Sequence, residues 1–332
     1  MTSINRLTLP FRILFAIIMA YLADLFPARA TFLRADPCAG NDNTPGHYVN
    51  KYDDDVKLSM QQSTARLEGA VTLETGIVGA SQSVDTATAT EVGQVTNRNA
   101  DIQYANTPKG RRWIDLSDYD WADYIDSFDQ LRVLENPNNK YVRLAVSAHN
   151  RQKDRCIINA SLGNARQTDV AGASSLVALP SGQKIVNGGT GLTMAKLRSG
   201  LELLNKAEAG SPEEGGIRTF ALSAKGLSDL MSDSTVTSRD YSELQALRDY
   251  KINYFMGMTW VRTESLPKSG GVRSGMIICK DCVHLGIGAE ITNDISQRKD
   301  KRGLPWQVYS KASLGGVRRE DIGVVQIDYT ES

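Results

Sequence analysis

The chain has 332 residues, and its 38 Lys and Arg balance 38 Asp and Glu to a formal net charge of zero. It is 41% hydrophobic and 23% charged, an ordinary globular composition at a length that suits about two domains, so extensive disorder is excluded. The charge balance argues against a protein that grips nucleic acid through a strongly basic surface, and three histidines and four cysteines are too few for a multi-metal enzyme or a disulfide scaffold.

Residues 13–22 form an apolar run behind Arg6 and Arg12, and Ala28-Arg29-Ala30 has the small-x-small form of a cleavage site. That layout is the layout of a secretory signal peptide. The run is short for a membrane span, and Asp24 interrupts its end. An N-terminal arm and an upstream start codon are the alternatives. Residues 31–50, rich in Pro, Gly, Asn and Asp, read as a linker. Residues 52–67 carry Val56, Leu58, Met60 and Leu67, a pattern open to a helix or an extended arm.

Residues 69–101 are rich in Thr, Ser, Val, Ala and Gly. Val71, Leu73, Ile77 and Val78 predict one strand, and residues 84–95 a second. A long Thr-rich hairpin of this kind has no core of its own and needs another surface to lie on. Residues 115–134 mix Asp115, Asp118, Asp120, Asp123, Asp126 and Asp129 with Tyr119, Trp121, Tyr124 and Phe128, and read as a solvated acidic loop. Asn136-Pro137 suits a helix start and Gly163 a helix end, so residues 137–162 predict a helix about 37 Å long. Its apolar residues cluster at both ends, and residues 149–155 between them are polar. Such a helix suits a spine with separate masses packed on it.

In the second half, Leu192, Met194, Leu197, Leu201 and Leu204 mark an amphipathic helix over 190–209. Residues 219–222 predict a strand, 224–231 a helix, 241–250 a further helix and 252–262 a strand. Residues 276–287 predict a buried strand, and 306–309 and 324–328 alternate as strands do. This half is mixed α+β, without an internal repeat.

Chemistry is sparse. Cys279 and Cys282, with His284 beyond them, could bind zinc or cycle as a dithiol, but no second ligand pair exists. On a strand the two cysteines point to opposite faces, so they read as small buried residues. His149 and Asp154 could act as base and orienting carboxylate, but at a spacing of five they read as polar residues on a helix surface. The acidic cluster lacks the Gly and Glu of a calcium loop. Gly188-Gly189-Thr190-Gly191 and Gly286-Ile287-Gly288 fail as phosphate or dinucleotide loops. Lys109-Gly110-Arg111-Arg112, residues 298–302 and Arg318-Arg319 are short basic spots that read as exposed loops or intersubunit ion pairs. No catalytic, cofactor-binding or metal-binding residue is assigned.

The ordered set of motifs resembles the tailed-bacteriophage major capsid proteins. Its carriers are Asn106-Thr107-Pro108 with Arg111-Arg112, Leu116-Ser117-Asp118-Tyr119, and Asp123-Tyr124-Ile125-Asp126 with Asp129. Ser147-Ala148-His149-Asn150-Arg151, Asp154-Arg155-Cys156-Ile157-Ile158-Asn159-Ala160, residues 276–288, Gly315-Gly316-Val317 and Gly323-Val324-Val325-Gln326-Ile327 complete it. The resemblance covers about residues 46–332. It implies an α+β capsid fold, with 46–68 as the N-terminal arm and 69–112 as the extended hairpin loop. Residues 113–179 and 276–332 would be a peripheral domain carrying the spine helix, and 180–275 an axial domain. Residues 1–45 are an extension atypical of the family.

The implied function is a non-enzymatic coat protein, assembled in the host cytoplasm into hexamers and pentamers around packaged double-stranded DNA. Its location would be the virion, its cofactors none, and its contact with DNA weak and non-specific. Portal, scaffolding and decoration proteins are the further partners implied, and no membrane. The alternatives are an exported periplasmic enzyme or binding protein, resting on residues 13–22, and an encapsulin-type compartment shell.

Overall fold

A computed structural model describes residues 59–331 apart from 96, 99–100, 103, 108, 126–137, 170–171 and 233–253. The signal-like segment, the linker, Asp126, Phe128, Asp129, the Asn136-Pro137 helix start and the helix expected at 241–250 lie outside the described residues.

The chain runs through β1 (Thr72–Thr75), β2 (Ser81–Ala87), β3 (Lys109–Ile125), helix α1 (Asn138–Leu162), β4 (Ala165–Thr168) and β5 (Ser174–Val177). Then come β6 (Lys184–Ile185), α2 (Met194–Lys206), β7 (Arg218–Leu222), α3 (Ala224–Ser232), β8 (Tyr254–Phe255), β9 (Met258–Arg262), β10 (Lys268–Ser269) and β11 (Val272–Cys279). The last strands are β12 (Val283–Gln297), β13 (Trp306–Arg318) and β14 (Val324–Thr330). They build two mixed sheets. The first has the order β1-β12-β13-β3-β4-β5, with β2 also on β3; the second has the order β6-β14-β11-β7-β9-β8, with β10 also on β11.

The first sheet is organised by α1. The helix has no internal Gly or Pro, and its second half buries Cys156, Ile157, Ile158 and Ala160 against Leu285, Ile287, Ala312 and Leu314 of β12 and β13. Close approach depends on Gly316, where a β-carbon would stand 2.8 Å from that of Ala160. The second sheet buries Phe220, Ile277, Val325, Ile327 and Tyr329 under Leu197 and Leu204 of α2 and Leu227 and Leu230 of α3. Phe220 and Trp260 meet edge to face at 5.3 Å.

The helix expected over 190–209 is confined to 194–206, with Thr193 as N-cap. The preceding loop wraps Lys196 instead of continuing the helix. The Lys196 Nζ donates to the carbonyls of Asn187, Thr190, Gly191 and Asp328. The far end of α2 is closed by buried Arg218, which donates to Ala209 O at 2.7 and 3.0 Å and to Asn205 Oδ1 at 2.7 Å. A cation is favoured at that end of a helix.

Several strand expectations are corrected. Residues 71–78 and 84–95 do not pair with each other. β1 runs parallel to β12, and β2 runs antiparallel to β3, because the chain turns at Gly76 and Gly79, both at positive φ. The acidic 115–125 segment is not a loop but the second half of a 17-residue strand whose carboxylates stay exposed. The strand expected at 252–262 is the hairpin β8–β9, turned at Met256 and Gly257, both left-handed. Residues 276–287 are not one strand, because a 3-10 turn at Lys280–Cys282 passes the chain from the second sheet to the first. The C-terminal strands are likewise divided: β12 and β13 lie with α1, whereas β11 and β14 lie in the other sheet.

Candidate functional site: an assembly surface

β2 and β3 pair from Ser81↔Asp115 to Ala87↔Lys109, and the described residues between them form no helix or strand. Apolar side chains on this loop have nothing to cover them: Val92 is 99% exposed, Tyr104 87%, Val95 85% and Ile102 78%. Val78, before β2, is 95% exposed. Isolated exposed apolar residues are ordinary, but several on one loop mark a surface suited to contact.

The loop is held firmly at its root. Exposed Arg111 pairs across the hairpin with Asp85, at 2.7 and 2.9 Å. Arg112 points inward and makes a bidentate contact with Asp321 at 2.9 and 2.7 Å, and it donates to Arg318 O at 2.6 Å. Arg318 is fully buried. Its guanidinium donates to Asp321 at 2.6 Å and to the carbonyls of Ser161, Gly163 and Val177 at 2.9, 2.7 and 3.1 Å. It thus closes the C-terminal end of α1 while holding the strand that carries Arg112. Burial pushes the Asp321 carboxyl up, but the two guanidinium groups outweigh it and hold it below the usual carboxylate range.

Arg112 and Arg318 therefore correct the reading of their basic spots as exposed. Two neutralised buried arginines are structural, whereas residues 298–302 at the β12–β13 tip are a largely exposed basic loop, with Arg298 paired to Asp300 at 3.0 Å. Arg319 pairs with Glu320 at 3.1 Å.

The polar middle of α1 has a specific occupant. His149 and Asp154 are buried, not surface residues as expected: segment 61–68 lies over Asp154, whereas His149 is on the side of Ser310 and Asp120. The Asp154 carboxylate accepts from the amides of Arg66 and Leu67, at 3.1 and 3.0 Å, and from the Gln62 side chain. Asn150 donates to Ser63 O at 2.7 Å, Arg151 to Gln61 Oε1 at 2.8 Å, and Lys153 pairs with Glu68 at 3.2 Å. Leu67 is buried at the end of this seam. His149 does not meet Asp154. Burial lowers its pKa, against the Ser310 backbone and Asp120, which raise it.

The Cys279–Cys282 expectation is corrected as well. The turn between them brings both side chains against Gly323, where a β-carbon would stand 2.0 Å from the Cys282 Sγ and 3.4 Å from the Cys279 β-carbon. His284 faces away to Glu74, with 3.1 Å between Nδ1 and Oε1. Among the described residues, no three His, Cys, Asp or Glu side chains converge as a metal site, and no helix is long and apolar enough to cross a membrane. Sequence reasoning missed Asp321, Arg218 and buried Arg273, whose guanidinium pairs with Glu331 and with Glu264 at 3.0 Å. Arg218 and Arg273 carry the signal of a charge beside apolar strand residues, whereas Asp321 follows Arg318-Arg319-Glu320 in a turn and carries none.

The described residues thus hold two sheets packed on one long helix, segment 61–68 seated along that helix, and an anchored loop with uncovered apolar side chains. The profile of the phage capsid protein family matches residues 44–331, so the chain belongs to that family. Solved structures share its fold. That of Mycobacterium phage Che8 is 17% identical, with TM-score 0.64 over 87% of this chain and 98% of that one. The capsid of Ralstonia phage GP4 is 9% identical, with TM-score 0.68 over 89% and 99%. The acidic stable capsid of Helicobacter pylori bacteriophage KHP30 is 12% identical, with TM-score 0.62 over 88% and 99%. No curated protein sequence matches the chain. Family and fold are those of a structural protein: a major capsid protein, located in the virion capsid and assembling with its own copies.

Proposed function

We propose that the subunit forms hexameric and pentameric capsomers of an icosahedral shell around packaged double-stranded DNA, and that it catalyses nothing. The observation that carries this reading is the loop between β2 and β3, uncovered at its apolar tip and anchored at its root by Arg112 and Asp321. Laid on the next copy, the tip buries what its own chain leaves bare. One patch meets a different patch, so the contact propagates around a ring. A closed shell multiplies weak contacts into a stable whole.

In this reading 46–68 is the arm and 69–112 the extended loop. Residues 113–179 with 276–332 form the peripheral domain and 180–275 the axial domain, with β14 and the end of β11 reaching from the first into the sheet of the second. Zero net charge spares the packed copies long-range repulsion and leaves DNA weakly held, with contacts at exposed spots such as residues 298–302. Portal, scaffolding and decoration proteins are the further partners of such a shell.

The test compares the full chain with a variant in which residues 88–108 are replaced by a short Gly-Ser link, by electron microscopy and mass photometry. Shells or rings are expected from the full chain, and folded subunits that do not assemble from the variant. Normal shells from the variant would overturn the reading.

A further inference from the structure

Cys279 is the last residue of β11 in the second sheet, and Cys282 stands immediately before β12 in the first. The chain crosses between the sheets here, and it crosses back between β13 and β14. The two crossings are tied together. Cys279 N donates to Gly323 O at 2.9 Å, and Arg319 N to Cys282 O at 2.8 Å. Both thiols are free and buried, and both side chains crowd the same glycine. The residues between them are not buried: Lys280 is half-buried and Asp281 exposed. The site is therefore one residue from solvent.

The two sulfurs differ in character. The neighbouring Cys282 thiol holds Cys279 below the usual thiol range, against burial, with help from Arg218. Cys282 is pushed up by the same neighbour and by burial. Cys279 is the better source of thiolate, and Cys282 the protonated partner beside it.

We propose that Cys279 and Cys282 are a modification site: a dithiol that closes to a reversible disulfide at the junction of the two sheets when it meets a peroxide. The Cys279 thiolate attacks one peroxide oxygen, the O–O bond breaks, and the departing oxygen leaves as water after taking up a proton. Cys279 is then a sulfenic acid. The Cys282 sulfur attacks the sulfenic sulfur, the S–O bond breaks, and a second water carries off the oxygen with the Cys282 proton. Two thiols are oxidised and one peroxide is reduced to two waters. The ring closed is short, so its entropic effect on stability is small and its effect is local. It makes one of the two crossings covalently closed.

Lys280 lies between the cysteines, so trypsin severs the loop and leaves peptides 274–280 and 281–298. The full chain is treated with hydrogen peroxide, its remaining thiols are alkylated, and it is digested without reductant. The two peptides are expected to appear joined, lighter by two hydrogens than their sum, and to separate on reduction. The joined pair should form at lower peroxide than any oxidation of Cys156, whose thiol burial pushes up. Both cysteines recovered as alkylated thiols, or as sulfinic acids on separate peptides, would overturn the proposal. In Cys282→Ser, Cys279 should stop at a sulfenic acid that dimedone traps. In Cys279→Ser, Cys282 should remain a thiol. Dimedone on Cys282 in place of Cys279 would overturn the order of attack.

Discussion

A carboxylate without water around it must be matched by donors, and Asp154 is matched by the backbone of a segment far away in sequence. Its oxygens hold the amides of Arg66 and Leu67, so the side chain acts as a clasp for the arm. Asp154→Ala should cost about 2–3 kcal/mol in urea denaturation, because the buried amide of Leu67 and the half-buried amide of Arg66 lose their acceptor. Amide exchange at Arg66 and Leu67 should rise well beyond exchange elsewhere, and unchanged exchange there would refute the clasp. Arg318 has the same logic with the sign reversed. Four of its five N–H donors serve one carboxylate and three carbonyls, a pattern that lysine cannot reproduce. Arg318→Met should cost about 3–5 kcal/mol by the same measurement, since Asp321 then faces Arg112 alone.

The loop between β2 and β3 and the spine helix make opposite demands at the scale of elements. The loop contributes little to the fold of its own chain, so Val92→Ser, Val95→Ser and Ile102→Ser together should leave subunit stability within about 0.5 kcal/mol per site. Assembly followed by light scattering should nevertheless fail, and shells formed at the normal rate would show the tip to be idle. The helix is packed on nearly every side, leaving Arg143, Arg155 and Asn159 as its exposed positions among residues 140–162. Gly316→Val should push into Ala160 and cost about 1–3 kcal/mol, read as a lowered thermal midpoint.

Acid should weaken the whole molecule in two stages. His149 is held neutral by burial, so its folded pKa lies below the unfolded value of about 6.5. Its stabilisation is complete above that pH and is lost as pH falls toward the folded value. Burial raises Asp321, but Arg112 and Arg318 hold it low, and Arg273 holds Glu331 low against its own burial. Their stabilisation is present above about pH 4 and is lost as pH falls through their depressed folded values. The urea midpoint should therefore decline below about pH 6.5 and fall again below about pH 4. His149→Gln should abolish the first decline and keep the second.

Elements whose hydrogen bonds close within a few residues were legible in the amino-acid order. The spine helix follows from its start and stop residues and its lack of internal Gly and Pro, α2 from the spacing of its apolar residues, and the ordered motifs pointed to the capsid family. Strands could be anticipated as strands but not paired. β1 alternates like any edge strand, yet its partner is β12, and nothing near Thr72 specifies His284. The acidic stretch looked like a loop because its carboxylates face water, whereas its strand character comes from ten pairings with β13. Burial of charge was likewise invisible. Arg111 and Arg112 are neighbours of one type, and the tertiary fold leaves the first in water while giving the second Asp321. Composition, local periodicity and family were thus determined by the sequence alone, because they rest on contacts between near neighbours. Sheet partners, the buried ion clusters and the shared face of Cys279 and Cys282 were decided by the tertiary structure alone, because each depends on which distant segments are brought together out of water.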